Sequence, residues 1–314
     1  MSHYTAVHAN PKGPGDARPT ALKTIKDEGL EEKRQGQVFV ITGTSSGIGI
    51  ETVRAIATTG ATLYLTARDL DKAKTALDGI FDPSPAATLK KTSKIHCLIA
   101  NAGIMAIPDL RFTEDGHELQ FGTNHLSHFL FLQLLKPALL AAASPDLPSQ
   151  VVVLSSSSHN IHGINDSDNY SFGHGDYDPN VAYGQSKTAN IYMANEIERR
   201  YDAQHLHATS VHPGVVATGL TRHMPPDAFK GMEYVYPMMK SVEQGATTTV
   251  WATVGEAWKH DGGKYLVDCD VARLAVDGDD KIVGPGYAPH AYDVEKAKRL
   301  WGDSNKLVGL EDEE

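Results

Sequence analysis

Tyr183 and Lys187 stand four residues apart in "AYGQSK", so on a helix both side chains project from one face. Ser156 closes the apolar run "VVVLSS", and Asn101, Ala102 and Gly103 directly follow another, "HCLIA". A phenol, an ammonium and a hydroxyl meeting at strand ends could move a proton and steady charge on a substrate oxygen. A further motif concerns binding. After "QVFVI" the chain reads "TGTSSGIGIE", with Gly43, Gly47 and Gly49 between a strand and a helix. A glycine at such a bend takes angles that a Cβ forbids, and the next ones admit a ligand and a neighbouring strand. The N–H groups freed at the helix start suit a pyrophosphate, so Gly43, Ser45, Ser46, Gly47, Ile48 and Gly49 form a candidate cradle. "HPGVVAT" closes a later strand and adds Pro213, Gly214, Val216 and Thr218.

Positioning these groups requires strands that end side by side. From residue 37, apolar runs alternate with helical patterns: "VFVIT", a helix from Ile48, "TLYLTA", "DLDKAKTALDGI", "KIHCLIA", a long helix through "DGHELQFGTNHLSHFLFLQLLKPALL", and "SQVVVLS". A helix follows from about Tyr183 to Tyr201, then "HATSVHP", "SVEQGATTTVWATV" and "GKYLVD". Alternation of this kind predicts an α/β fold, a doubly wound parallel sheet covered on both faces. A single domain over residues 37–309 accommodates it, ending in a helix with Val294, Ala297, Leu300 and Trp301 on one side. Residues 1–36, with Pro11, Pro14, Pro19 and no sustained period, predict a flexible arm, and residues 310–314 an acidic tail.

Composition narrows the function classes. With 29 basic against 39 acidic residues the formal charge is −10, which argues against nucleic acid and anionic membrane surfaces as partners. Cys97 and Cys269 form no C-x-x-C pair, so neither a disulfide framework nor a thiolate metal site is expected, and a reducing, cytoplasmic setting fits. The most apolar stretch, His128–Ala143, holds Gln133, Lys136 and Pro137 and reads as a core helix with its exit, not a membrane span. No secretory signal is visible. His159, His162 and His174 lie in a loop without regular ligand spacing, so no metal is expected.

T-G-x-x-x-G-x-G, N-A-G, a Ser, Y-x-x-x-K and P-G-x-V-x-T in this order resemble the short-chain dehydrogenase/reductase superfamily over residues 37–309. "YLTARDLDKAK", "LQFGTNHLSHFLF" and "AYGQSKTANIYMANEIERR" are similar to the branch of retinol dehydrogenases, the WW-domain-containing oxidoreductase and fungal reductases. The resemblance implies a Rossmann fold and hydride transfer between a nicotinamide and a small-molecule alcohol or ketone. Tyr183 would be the general acid/base. Lowering a phenol from about 10 to about 7 takes about 4 kcal/mol, with Lys187 and a cationic nicotinamide as the sources. Lys187 would also bond the nicotinamide ribose, and Ser156 would donate to the substrate oxygen, although Ser155 or Ser157 in the same run could serve instead. Asn124, in "FGTNH", matches the residue that holds a relay water near the Lys, and as a polar helix residue it could equally cap or bridge helices.

Arg68 ends the second strand about 20 residues after the last glycine, where an acidic residue would select the ribose hydroxyl of NAD. A guanidinium suits a 2′-phosphate, so NADP(H) is expected ahead of NAD(H). The Met- and aromatic-rich segment Leu220–Lys240 lies where the family places a mobile substrate lid, which suggests a sizeable apolar substrate.

The resemblance fails between Arg68 and Asn101, where "FDPSPAATLKKTSK" replaces a third strand, an adenine-contacting Asp and most of a helix. The third, edge strand and the following helix are therefore expected to be missing. A sheet one strand short on the adenine side follows, with weakened cofactor affinity and self-association, a homo-oligomer, at the bare surface. The same gap supports an alternative function, a dinucleotide-binding protein with weak or no turnover.

Overall fold

The computed structural model describes residues 3–80, 92–225, 227, 228 and 230–311. Strands β1 (Val38–Thr42), β2 (Thr62–Thr66), β3 (Cys97–Ala100), β4 (Ser149–Leu154), β5 (Leu206–His212), β6 (Lys264–Val267) and β7 (Asp270–Val271) form one sheet in the order β2-β1-β3-β4-β5-β6-β7. Every neighbouring pair is parallel except β6 with β7. The helices that cover it are α1 (Ala21–Asp27), α2 (Ile48–Ala57), α3 (Leu70–Ala76), α4 (Ser127–Ala142), α5 (Pro179–Tyr201), α6 (Thr247–Val254) and α7 (Val294–Leu307).

Alternation along each strand divides the apolar residues between two cores. Phe39, Ile41, Ile99, Val152 and Leu154 face one layer with Ile25 of α1, Val53 and Ile56 of α2, and Val250 and Trp251 of α6. Val40, Leu98, Val151 and Val153 face the other, with Phe129 and Leu132 of α4, Met193 and Ile197 of α5, and Trp301 of α7. β4 lies in the middle and is buried along its whole length, which is why its Val151–Leu154 run is apolar on both faces. This is a Rossmann arrangement in a single domain. Among the described residues, no helix is long and apolar enough to cross a membrane.

Several expectations need revision. Residues 1–36 are not a loose arm: Tyr4, Arg18, Ala21 and Ile25 are all buried, and α1 packs on α2 and α6. A seven-residue helix with three inward positions, Ala21, Thr24 and Ile25, gives too short a period to be seen in the sequence. The long helix expected from "DGHELQ" onward is broken. It begins at Leu119–Phe121, passes through a π-helical turn at Gly122–Leu126 and only then becomes α4, which continues through Pro137 to Ala142. Burial of Ala138, Leu139 and Ala142, and bonds to the carbonyls of Ala138 and Leu139 from Ile95 N and Ser149 Oγ, hold the part beyond the proline. On α7, Val294 is exposed, whereas Ala297, Leu300 and Trp301 are buried.

β2 pairs only with β1 and is the sheet edge among the described residues, and its Leu63, Tyr64 and Leu65 are half-buried. Residues 81–91, which make up most of the segment expected to lack the third strand, lie outside the described residues.

Candidate active site

The carboxyl ends of β1, β3, β4 and β5 open into one crevice of about 690 Å³. The glycine turn forms one wall. Gly43 has φ +73° and Gly47 φ +62°, conformations that glycine adopts without cost. A Cβ on Gly43 would lie 2.7 Å from Ala102 Cα, and one on Gly49 2.3 Å from the Gly43 carbonyl oxygen. The glycines thus let the turn lie directly against the Asn101–Gly103 loop. That contact is bonded: Thr42 Oγ1 accepts the N–H groups of Asn101 and Ala102 at 2.9 Å each, and Asn101 Nδ2 donates to the Thr42 carbonyl at 2.8 Å.

Two accepted bonds leave the Thr42 hydroxyl proton for His128 Nε2, 2.9 Å away. His128 therefore carries its own proton on Nδ1 and donates it to the backbone oxygen of Asn124 at 3.0 Å. Burial pushes His128 down to about 4, so this ring is neutral.

Ser156, Tyr183 and Lys187 meet on the crevice floor. α5 starts with Asp178 capping the N–H groups of Asn180 and Val181, and it carries Tyr183 and Lys187 on the same face toward the end of β4. Lys187 Nζ lies 5.5 Å from the Tyr183 ring centre and donates to the Leu154 carbonyl at 3.1 Å. The choice among the serines follows from their partners. Ser155 Oγ is spent on the Lys187 carbonyl at 2.8 Å and Ser157 Oγ on the Ile282 carbonyl at 2.7 Å, and both residues are buried. Ser156 is the partly exposed one: its Oγ accepts the Ser158 N–H at 3.1 Å, lies 3.3 Å from Ser158 Oγ, and lowers the Tyr183 phenol beside it.

Burial pushes Tyr183 up to about 12, against which the Ser156 hydroxyl works, and pushes Lys187 down to about 8. The protein groups alone do not make an acidic phenol.

Asn124 is fully buried and does not line the crevice. Its Nδ2 donates to the Ile104 carbonyl and to Ser186 Oγ, each at 2.9 Å, and its Oδ1 accepts the Ile104 N–H at 2.9 Å. The π-helical turn aims the side chain at this loop; a Cβ on Gly103 would lie 3.3 Å from Asn124 Oδ1 and 3.7 Å from Lys187 Nζ. The other candidate catalytic and cofactor-binding residues all line the crevice.

Of the expected lid, Leu220, Met224 and Met232 line the crevice, whereas Tyr234, Tyr236 and Met238 are exposed and Phe229 lies outside the described residues. Arg222 of the same segment lines it as well, and Ile104, Met105, Ile161 and Ile282 do so unforeseen. They come from separate loops, and loops carry no period from which a shared wall could be read. His159 is a bracket: its Nδ1 donates to the Ser156 carbonyl at 2.7 Å and its Nε2 accepts the Ala288 N–H at 3.1 Å. No group of three or more His, Cys, Asp or Glu placed to hold a metal occurs among the described residues.

A dinucleotide fits this crevice on three grounds. Its turn has the hollows that a Cβ would fill, Asn101 Oδ1 is buried without a partner, and Arg68, Lys187 and Arg222 line it with no carboxylate among the described residues. In a chain of net charge −10, a lining of that sign is set for an anionic ligand.

Fold and site together define a Rossmann protein built to hold a dinucleotide over a Ser-Tyr-Lys floor. The chain belongs to the short-chain dehydrogenase/reductase family and is an oxidoreductase acting on CH–OH or C=O groups. It is 42% identical to the short-chain dehydrogenase/reductase prx1 of Penicillium roqueforti, over 98% of this chain and 95% of that one. The alignment spans 328 positions against 314 residues here, so that relative has residues without a counterpart in this chain. Human retinol dehydrogenase 13 is 32% identical over 88% of this chain and 86% of its own length. Among solved structures, an uncharacterized protein from Mycobacterium paratuberculosis superposes with a TM-score of 0.64 at 28% identity, covering 88% of this chain and 95% of that one. No family model matches the sequence.

Proposed function

We propose that the chain is an NADP(H)-dependent reductase or dehydrogenase of a sizeable apolar alcohol or ketone, with Tyr183 as the proton-transfer group. The observation that carries this reading is the meeting of Ser156, Tyr183 and Lys187 at the floor of a crevice whose rim is the glycine turn. Bound there, the dinucleotide supplies or takes up the hydride. Ser156 donates to the substrate oxygen, and Tyr183 passes its phenolic proton to that oxygen on reduction or takes it back on oxidation. Lys187 holds positive charge beside the phenol and bonds the ribose of the dinucleotide. Asn124 acts at one remove, fixing the Gly103–Ile104 wall beside Lys187. Met105, Met224, Met232 and Ile161 give the mouth adaptable apolar surface.

Arg68 supports NADP(H). Its guanidinium is exposed, lines the crevice and pairs with no described residue, so its fork is free for a phosphate. Arg68→Ala is expected to weaken NADPH by about 1.5–3 kcal/mol and leave NADH nearly unchanged, the worth of a charged hydrogen bond. Fluorescence titration with both cofactors measures this, and equal losses would show that Arg68 does not read the 2′-phosphate.

NADPH oxidation across a panel of apolar ketones and aldehydes, run beside a cofactor titration, tests the activity. Turnover with at least one carbonyl is expected; tight binding with no turnover on any member would replace the reading by a dinucleotide-binding protein without catalysis.

A further inference from the structure

The N-terminal segment does something besides cover the sheet. Arg18 has a side chain only 3% exposed and is aimed at a stretch of chain more than two hundred residues away. Its Nη1 donates to the Met238 carbonyl at 2.8 Å, and its Nη2 reaches the carbonyls of Gly13 at 3.1 Å, Pro237 at 3.5 Å and Met239. Asp16 steadies the fork from behind, accepting from Arg18 Nε at 2.8 Å. Gln244 ties the same segment down a second time, accepting the Gly15 N–H at 2.9 Å and donating to the Arg18 carbonyl at 3.0 Å. Gly13 lies under the Tyr236 ring so closely that a Cβ there would be 2.9 Å from Tyr236 Cε1.

The gripped carbonyls are the root of the segment that supplies Met224 and Met232 to the crevice, and they lead straight into Lys240. Lys240 is 2% exposed, donates its N–H to the Val215 carbonyl at 2.9 Å, and runs its stem past Gly214, where a Cβ would be 2.9 Å from Lys240 Cδ and Cε. Its ammonium pairs with Asp268 at 2.6 Å, and His8, again from the N-terminal segment, sits 3.3 Å from the same carboxylate. Residues 237–240 therefore join two walls of the crevice, the segment of Met232 and the Pro213–Val216 loop.

We infer that Arg18 is a positioning residue: by holding the 237–239 carbonyls it fixes the root of the 220–240 segment and, through Lys240, the 213–216 loop. Without that cation four carbonyls lose a charged donor and the root opens locally while the sheet stays folded. The inference rests on the reading of the crevice as a dinucleotide site only for its second readout below.

The test compares Arg18→Ala and Arg18→Lys with Ile25→Ala, which weakens the same segment in the core, away from residue 237. The first readout is trypsin cleavage at the Lys230–Gly231 bond under native conditions. Arg18→Ala is expected to speed cleavage about tenfold and Ile25→Ala by no more than about twofold at matched distance below each melting temperature. Arg18→Lys should fall between parent and Arg18→Ala, because one ammonium cannot serve all the acceptors of a planar fork; it also decides the matter if Arg18→Ala does not fold. The second readout is NADPH affinity, expected to fall about three- to tenfold in Arg18→Ala and to stay within about twofold in Ile25→Ala. Equal cleavage in Arg18→Ala and Ile25→Ala, or parental cleavage in both Arg18 variants, would overturn the inference. If the parent fails to bind NADPH, the dinucleotide reading falls, and the cleavage rates still judge the clamp.

Discussion

Tyr183→Phe lowers turnover by about 10² to 10⁴ and leaves NADPH affinity nearly unchanged, the effect of deleting a positioned general acid/base. The size follows from the site. Burial holds the phenol up at about 12 in the protein alone. Bringing it to about 7 takes about 7 kcal/mol of anion stabilisation, more than the sequence alone suggested. The Ser156 hydroxyl is the protein's own lowering influence on this phenol. The remainder has to come from Lys187, 5.5 Å from the ring centre, and from positive charge brought in with the ligand. Ser155 and Ser157 are not placed to take over, since both are bonded to carbonyls. The fold should tolerate the change, because only a hydroxyl is lost and the ring still fills its buried site, at a cost of no more than about 1 kcal/mol. Steady-state rates and a cofactor titration on the two proteins decide it; turnover within about threefold of the parent would remove Tyr183 from the mechanism.

Gly49→Ala should damage both stability and cofactor binding. The added Cβ would meet the Gly43 carbonyl oxygen at 2.3 Å and Asn101 Nδ2 at 2.7 Å. Neither is the free end of a flexible chain: the first is backbone, and the second is held by the Thr42 and Gly43 carbonyls at 2.8 and 3.2 Å. The turn and the Asn101 loop must separate, at a cost of about 1–3 kcal/mol in stability. Because the cradle for the dinucleotide is made by that contact, affinity for NADPH should drop at least about tenfold. Gly116→Ala is the control. Gly116, unlike Gly49, has a positive φ, +85°, and a Cβ there meets nothing within 4 Å, so about 1 kcal/mol of stability is lost with no change in binding. Melting curves and cofactor titrations separate the two, and parental affinity in Gly49→Ala would show that the turn does not carry the dinucleotide.

Much of the fold could be read in the sequence because its causes are local. β1, β3 and β4 are apolar runs of four to six residues, and such runs announce a sheet buried on both faces wherever they occur. The glycine turn could be read as well, since its spacing is a demand of the backbone itself. So could the shared face of Tyr183 and Lys187, a consequence of helical pitch.

Tertiary structure decided whatever depended on distant partners. Which serine faces the crevice unbound to a carbonyl was undetermined in the run until Ser155 met the Lys187 carbonyl and Ser157 the Ile282 carbonyl, 125 residues further along. Asn124 looks like any helix residue; the π-helical turn and the Ile104 loop give it a place. The N-terminal segment reads as loose because α1 has only seven residues, and its anchor, Arg18, bonds carbonyls about 220 residues away. Backbone carbonyls have no side-chain signature, so a buried cation that binds them leaves no pattern in the sequence to find. Local geometry set this protein's chemistry, and long-range packing chose which of the like residues perform it.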